Sequence, residues 1–309
     1  MEIITYHQGD TPKLNNLVAC IGHFDGLHLG HLQLINKVNS IKGVNNKLSS
    51  AIIMMDPDPL NFINGCETPF LTSLEDRILR CHEYNLDYFI ILKFDQVMIN
   101  MQPECFIHSV LEKLNVKELV CGYDFRFAAQ GSGNLDMLSK QKFNLNVIQP
   151  YKIKDIKVST TYIKQLIKEY KLKEVKQLMK HYYKVSGTVV KGRQVGRTIG
   201  FPTANLEMKD LYVNPENGVY AGYVKVKEEY YGCIINVGYN PTFNLRNTVS
   251  IEAHILEFSS DIYGEEISLY FVELLREEVA FKNTTLLIEQ LNKDVESANI
   301  ILKEVKLCD

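Results

Sequence analysis

The sequence has no surplus of positive charge. Its 34 Lys and Arg stand against 37 Asp and Glu, a net charge of -3 at pH 7, whereas nucleic-acid and membrane-surface proteins usually carry a basic excess. No nucleic-acid partner is expected. No apolar run approaches the ~20 residues of a membrane span, so no membrane partner is expected either. Cys-x-x-Cys is absent. The seven cysteines (Cys20, Cys66, Cys81, Cys105, Cys121, Cys233 and Cys308) are an odd number and widely scattered. That suits reduced thiols better than a disulfide framework or a zinc site. The opening MEIITYHQGD lacks the basic and apolar regions of a signal peptide, and a cytoplasmic location is the expectation. Repeats, low-complexity segments and long linkers are missing too. What is present is 309 residues, 46% hydrophobic and 23% charged, an ordinary soluble balance with material for about two domains.

Residues 1–183 alternate apolar strands with helical patterns. Ser50–Met55 reads as a buried strand ending in Asp56-Pro57-Asp58-Pro59. Leu74–Tyr84 reads as a helix with Ser73 as N-cap, Asp87–Phe94 as a strand, and Pro103–Leu114 as a helix with Pro at its start. Leu119–Cys121 is a further strand before Gly122. This rhythm predicts an α/β domain of Rossmann type, with ligands at the carboxyl ends of parallel strands. From about Tyr183 the pattern changes to short alternating runs: Lys184–Lys191, Gly218–Lys227, Tyr231–Val237, Ser250–Phe258 and Ile267–Leu275. A helical pattern, Thr284–Val305, closes the chain. Residues 184–309 are therefore expected to form an antiparallel β-barrel with a C-terminal helix. The boundary lies in the polar stretch Lys171–Tyr183, which is itself a candidate helix.

The most informative stretch of the first part is Cys20–Leu34, CIGHFDGLHLGHLQL. An apolar strand stops at Gly22, Phe24-Asp25-Gly26 makes a turn, and His28-Leu29-Gly30-His31 opens a helix. That layout aims backbone N–H groups at an anion. Two histidines three apart share the face of a first helical turn, and Gly30 between them leaves room for a phosphate. Histidine can donate to phosphate oxygens and can carry positive charge near neutral pH. A second element, Ser159-Thr160-Thr161-Tyr162-Ile163-Lys164, sets three hydroxyls before a helix and a cation one turn in. A third is Gly122-Tyr123-Asp124-Phe125-Arg126-Phe127. The string G-x-F-D-G-x-H-x-G-H resembles the nucleotidyl-transfer signature of the bacterial FMN adenylyltransferases, and the other two pieces match the same family. The resemblance implies ATP contacts at Gly22, Phe24, Asp25, Gly26, His28, Gly30, His31, Ser159, Thr160, Thr161 and Lys164. It implies flavin contacts at Asp58, Asp124 and Phe125, with His28 and His31 catalytic.

The second part carries Gly187 to Leu206, GTVVKGRQVGRTIGFPTANL. Closely spaced glycines let N–H groups approach phosphates. Thr203 and Asn205 offer neutral oxygens two apart, suited to Mg²⁺ bound to ATP phosphates. Further on come Gly218-Val219-Tyr220, Asn236–Phe243, Glu252-Ala253-His254, Asp261–Gly264 and Leu275-Arg276. Together these resemble a flavokinase over nearly the whole part. The resemblance implies ATP binding through Gly187, Gly192, Gly196, Arg197, Thr203 and Asn205, and flavin binding through Phe201 and Arg276. It makes Glu252 the general base and leaves His254, on the same face, a structural neighbour. A surface salt bridge is the other reading of Arg276.

The two parts side by side resemble the prokaryotic bifunctional riboflavin kinase/FMN adenylyltransferase family. That implies riboflavin, FMN, FAD and ATP as small-molecule substrates or products, Mg²⁺ with ATP, and a monomer or weak homo-oligomer. Departures lie in the first part. The family usually reads F-E-P-H-P where Met55–Pro59 stands, and D-F-R-F-G with a later Arg where Ala128 and Gly131 stand. It has Arg where Lys164 stands, so the bidentate fork is lost while the charge remains. Two alternatives follow: a flavokinase with a weakened or inactive first domain, and a flavin-binding regulator without turnover.

Overall fold

A computed structural model describes residues 1–192, 195–239 and 249–305. Arg193, Gln194 and Asn240–Phe243 of the quoted motifs, and Cys308, lie outside the described residues. Contacts divide the chain into two units, Met1–Thr68 with Ser73–Ser159 and Pro69–Thr72 with Thr160–Asp309.

In the first unit β1 (Glu2–Tyr6), β2 (Leu17–Ile21), β3 (Ser49–Asp56), β4 (Tyr88–Lys93), β5 (Val116–Gly122) and β6 (Asn144–Ile148) form one sheet. Its order is β1-β4-β3-β2-β5-β6, and every pair is parallel. Helices α1 (Leu29–Val44), α2 (Pro59–Asn64), α3 (Leu74–Cys81), α4 (Gln96–Ile99), α5 (Pro103–Phe106) and α6 (Leu135–Ser139) connect it, and β7 (Lys152–Ile153) pairs with β8 (Ile156–Lys157). Parallel strands covered on both faces need apolar residues throughout. Alternation along β2 shows this: Leu17, Ala19 and Ile21 enter one core, Val18 and Cys20 the other. Each fully buried Leu or Ile contributes roughly 1.5–3 kcal/mol. The predicted helix from Leu74 is present, with Ser73 Oγ accepting from Asp76 N at 3.1 Å. The helix predicted over 103–114 begins at Pro103 and continues past Phe106 as a π-helical stretch, Ile107–Glu112.

In the second unit α7 (Thr160–Lys168) and α8 (Leu172–Met179) precede the barrel. Its strands are β9 (Tyr183–Val190), β10 (Ala204–Met208), β11 (Gly218–Val226), β12 (Glu229–Tyr239), β13 (Val249–Ile255) and β14 (Glu266–Arg276), with the short α9 (Val195–Thr198) after β9. They close antiparallel in the order β10-β13-β12-β11-β14-β9. The closing helix α10 (Thr284–Lys303) is capped by Asn283 and packs Ala298 and Leu302 on Val219, Ala221 and Ile234. Phe70 pairs with Tyr212 and bonds through its main chain to Leu211 and Val213, which groups Pro69–Thr72 with the barrel. Among the described residues no helix is long and apolar enough to cross a membrane.

Candidate active sites

The first site is built at the carboxyl end of β2. Gly22 N donates to Ile53 O at 3.1 Å, and the chain turns through Phe24 and Leu27 at positive φ before α1 starts. His28 is the N-cap of α1, and its Nδ1 accepts from His31 N at 3.3 Å. A neutral His28 therefore carries its proton on Nε2. The two rings stack at 3.7 Å between centroids and 14° between planes. Gly30 eases that stack, because a Cβ there would lie 3.1 Å from the His28 ring and press it aside by a few tenths of an ångström. The expected function of Gly30, room for a phosphate, has this simpler packing reason beside it. Asp25 is 1% exposed and Phe24 packs its ring 5.2 Å from His31.

The flavin-side candidates lie on neighbouring loops of the same unit. Asp58 pairs with His23 Nε2 at 3.1 Å, and Asp56 pairs with Lys93 at 2.8 Å. Asp124 accepts from Lys157 Nζ at 2.5 Å, while Phe125 stacks on Phe127 at 5.9 Å. Ala128 sits at φ 63° and ψ -171°, a region glycine enters freely and alanine does not. Ser159 ends the first unit, and Thr160 and Thr161 open α7 in the second. Lys164, one turn on, donates to the Pro69 carbonyl.

The second site lies on the barrel. Alternation along β13 buries Ile251 and Ala253 and leaves Glu252 and His254 half-buried on the other face. Asn205 of β10 and Asn236 of β12 stand opposite Glu252 in register. Thr203 Oγ1 donates to Glu252 Oε2 at 3.1 Å. His254 Nδ1 bonds the Pro202 carbonyl at 2.8 Å and its ring lies 5.3 Å from Phe201. It thus anchors the segment before Thr203, the structural part expected of it. A cleft of about 440 Å³ shares Pro202 and Thr203 with this cluster and is otherwise lined from the Ala253 face of β13, by Val189, Arg197, Ala253, Asp261 and Tyr263 among others, while Glu252 and His254 are not among its lining residues. The glycines have distinct reasons. A Cβ on Gly192 would fall 2.2 Å from the Asn205 amide, and one on Gly196 2.2 Å from the Phe201 carbonyl. Gly187 is pressed by strand packing, with the Glu207 carbonyl 2.2 Å from where its Cβ would be. That packing accounts for this glycine without a nucleotide.

Comparison with known proteins bears on both units. A family model described as FAD synthetase matches residues 10–162, and one described as riboflavin kinase matches 179–302. The bifunctional riboflavin kinase/FMN adenylyltransferase of Listeria monocytogenes is 34% identical over 284 residues, 90% of each chain. That of Buchnera aphidicola subsp. Schizaphis graminum is 33% identical over 299 residues, 92% of this chain and 94% of its own. The chain belongs to the bifunctional riboflavin kinase/FMN adenylyltransferase family. It phosphorylates riboflavin to FMN and adenylylates FMN to FAD, and the alternatives of a lone kinase or a flavin-binding regulator are not favoured. A solved structure described as a macrolide-efflux protein from Streptococcus pneumoniae superposes with a TM-score of 0.87 at 25% identity, covering 97% of this chain and 99% of that one.

The first site corrects one expectation. His28 and His31 are not positively charged near neutral pH in the free protein. Burial, only partly opposed by Asp25, pulls His28 down to about 4. Burial and the nearby His28, His23 and Arg77 charges hold His31 well below the usual imidazole range. A bound phosphate acts in the opposite sense, since an opposite charge favours the protonated ring. The buried rings also give a stability prediction. A ring whose folded-state pKa lies below its unfolded value binds protons more readily when unfolded. Its contribution is whole above about pH 6.5 and is lost as pH falls from there to about 4. For His28 alone the loss is about 3 kcal/mol. Urea midpoints at pH 7 and 4.5 should therefore converge for a His28→Asn/His31→Asn double variant relative to wild type. Equal pH slopes in the two proteins reject this assignment.

Three side chains were not legible as site residues. His23 lies inside the glycine turn and meets Asp58 only because β2 and β3 are neighbours. Arg77 belongs to no motif, yet it is buried and donates to the His23 carbonyl at 3.1 Å. Asp294, 3% exposed on α10, holds the kinase's Arg276 through Nε at 3.0 and 3.1 Å and Nη2 at 2.9 Å. The surface salt bridge that is the other reading of Arg276 is not what forms, because the partner Asp294 is buried. Its aspartate could be found in the sequence only as one acidic residue among many.

Proposed function

We propose that riboflavin phosphorylation centres on Glu252 and adenylyl transfer on His28 and His31. The observation that carries the kinase reading is the Thr203 Oγ1 to Glu252 Oε2 hydrogen bond of 3.1 Å, which joins a carboxylate to the P-T-A-N segment. Glu252 takes the proton of riboflavin's terminal hydroxyl as that oxygen attacks the γ-phosphorus of ATP. The bond to the bridging oxygen breaks, and ADP leaves. Mg²⁺ arrives with ATP. Thr203 and Asn205 supply neutral oxygens, a donor set that fits a hard cation already held by phosphates. Arg197, Gly192 and Gly196 border the phosphates, Gly187 supports the arch, and Phe201 and the Arg276–Asp294 pair border the flavin.

In the transferase, an FMN phosphate oxygen attacks the α-phosphorus of ATP and pyrophosphate leaves. No protein nucleophile is needed, so positioning and charge stabilisation carry the rate. His28 Nε2–H is the donor that the N-cap geometry leaves available, and His31 stacks against it. Gly22, Phe24, Asp25, Gly26 and Gly30 shape the α-phosphate turn. Ser159, Thr160, Thr161 and Lys164 take the triphosphate, while Asp58, Asp124 and Phe125 take the flavin. Lys164 in place of Arg and Ala128 in place of Gly make this step slower or weaker-binding than the kinase step. The functional domains run 1–183 and 184–309, in a cytoplasmic protein that is a monomer or weak homo-oligomer and binds no nucleic acid.

Thr203→Val separates these assignments. It should raise the Mg²⁺ needed for FMN formation by about tenfold, the worth of one lost charged-group contact, and leave FAD formation from supplied FMN unchanged. Products are separated chromatographically from riboflavin, ATP and Mg²⁺. Unchanged metal dependence, or a histidine- or cysteine-held metal in nucleotide-free protein, rejects the metal reading.

A further inference from the structure

Arg77 is the fourth residue of α3, at the end of its first turn, and is 7% exposed. A guanidinium keeps its charge, and burying one is costly unless partners are supplied. Two main-chain carbonyls accept from it, Ser73 O from Nε at 3.2 Å and His23 O from Nη1 at 3.1 Å. The first is local to its own helix. The second reaches 54 residues back along the chain, into the turn that leads to the H-x-G-H element. Burial lowers the guanidinium's pKa, and Asp25, Asp56, Asp58 and Asp76 oppose that shift only in part.

That turn needs holding. Phe24 has φ 55°, Gly26 φ 81° and Leu27 φ 41°. Two of the three are not glycine, and such backbone persists only where its surroundings over-determine it. Phe24 and Leu27 are each 1% exposed, Leu27 N donates to Phe24 O at 3.2 Å, and Gly22 N to Ile53 O at 3.1 Å. Arg77 adds a charged donor to a carbonyl of the turn itself, and charge-assisted bonds are the stronger kind. The geometry of the turn passes directly to the site. Phe24 packs on His31 at 5.2 Å, and His28 follows Leu27 in the chain.

We propose that Arg77 is a positioning residue for adenylyl transfer. Its bond to the His23 carbonyl holds the Gly22–Leu27 turn in the strained form that sets the stacked His28–His31 pair. The inference rests on the assignment of adenylyl transfer to that pair. Because Arg77 acts through the turn and not on substrate, its loss lowers kcat and spares KM.

The test uses full-length Arg77→Met and Arg77→Lys beside wild type and His31→Ala, with supplied FMN and MgATP. Steady-state FAD formation, riboflavin phosphorylation and thermal unfolding are measured on each. Folded Arg77→Met should lose at least about thirtyfold in kcat with both KM values within about threefold, a misplacement effect. Arg77→Lys, which keeps the charge and a donor, should recover to within about tenfold of wild type while staying about threefold or more below it. Phosphorylation should be unchanged in both. If Arg77→Met does not fold, Arg77→Lys decides, assayed where its unfolding curve is still flat. Wild-type kcat in a folded Arg77 variant overturns the inference, as does a raised KM with unchanged kcat. Failure of wild type to form FAD, or full activity in His31→Ala, instead removes the assignment beneath it.

Discussion

Glu252→Gln is expected to cut FMN formation by about a hundredfold or more while FAD formation from supplied FMN continues, the scale of a lost general base. The amide keeps the size of the carboxyl and an oxygen to accept from Thr203 Oγ1, now 3.1 Å from Oε2. What it loses is the ability to take a proton. Fold and cleft should therefore persist, with Ile251 and Ala253 still buried beneath. The two half-reactions in one chain serve as each other's controls. Coupled assays of FMN and FAD by chromatography read both. A kinase rate within about tenfold of wild type corresponds to only about 1.4 kcal/mol and would mean that Glu252 is not the base.

The mirror experiment should silence the other unit. His31→Ala and His28→Asn are expected to reduce FAD formation by about 10²–10³-fold, the cost of one preorganised donor at developing charge, and to leave phosphorylation intact. Asparagine is the informative replacement at 28. His28 is an N-cap whose Nδ1 accepts from His31 N, and Asn is among the best N-caps. The variant keeps the cap on α1 and removes the Nε2–H donor, so lost activity cannot be laid to a frayed helix. FAD and pyrophosphate are both measured. Equal yield from wild type and both variants would take the histidines out of the mechanism.

The elements legible in the sequence were those whose signal is local. β3 was readable from Ser50–Met55, α3 from its Ser73 cap, and the barrel strands from alternation over spans of 7–11 residues such as β12 to β14. β1, β6, β10 and the two-residue β7 and β8 carry no such signal. β1 and β6 are the edges of the sheet, and β6 is mostly half-buried, so the apolar run that marks a two-sided strand is interrupted. β10 is five residues beginning inside P-T-A-N, where the glycine-rich arch dominates the local pattern.

By itself the sequence determined the chemistry available: the G-x-F-D-G-x-H-x-G-H turn, the P-T-A-N segment and the E-x-H strand, because spacing within a strand or a helical turn decides which side chains share a face. Only the tertiary structure decided how those groups are held and charged. The order β1-β4-β3-β2-β5-β6 brings His23 to Asp58 and Arg77 to the His23 carbonyl. Barrel closure sets Asn205 and Asn236 on either side of Glu252, and α10 lays Asp294 on Arg276. The protonation of His28 and His31 follows from burial. A residue's desolvation depends on everything packed around it, and that packing is made of contacts between segments far apart in the chain, which no local pattern specifies.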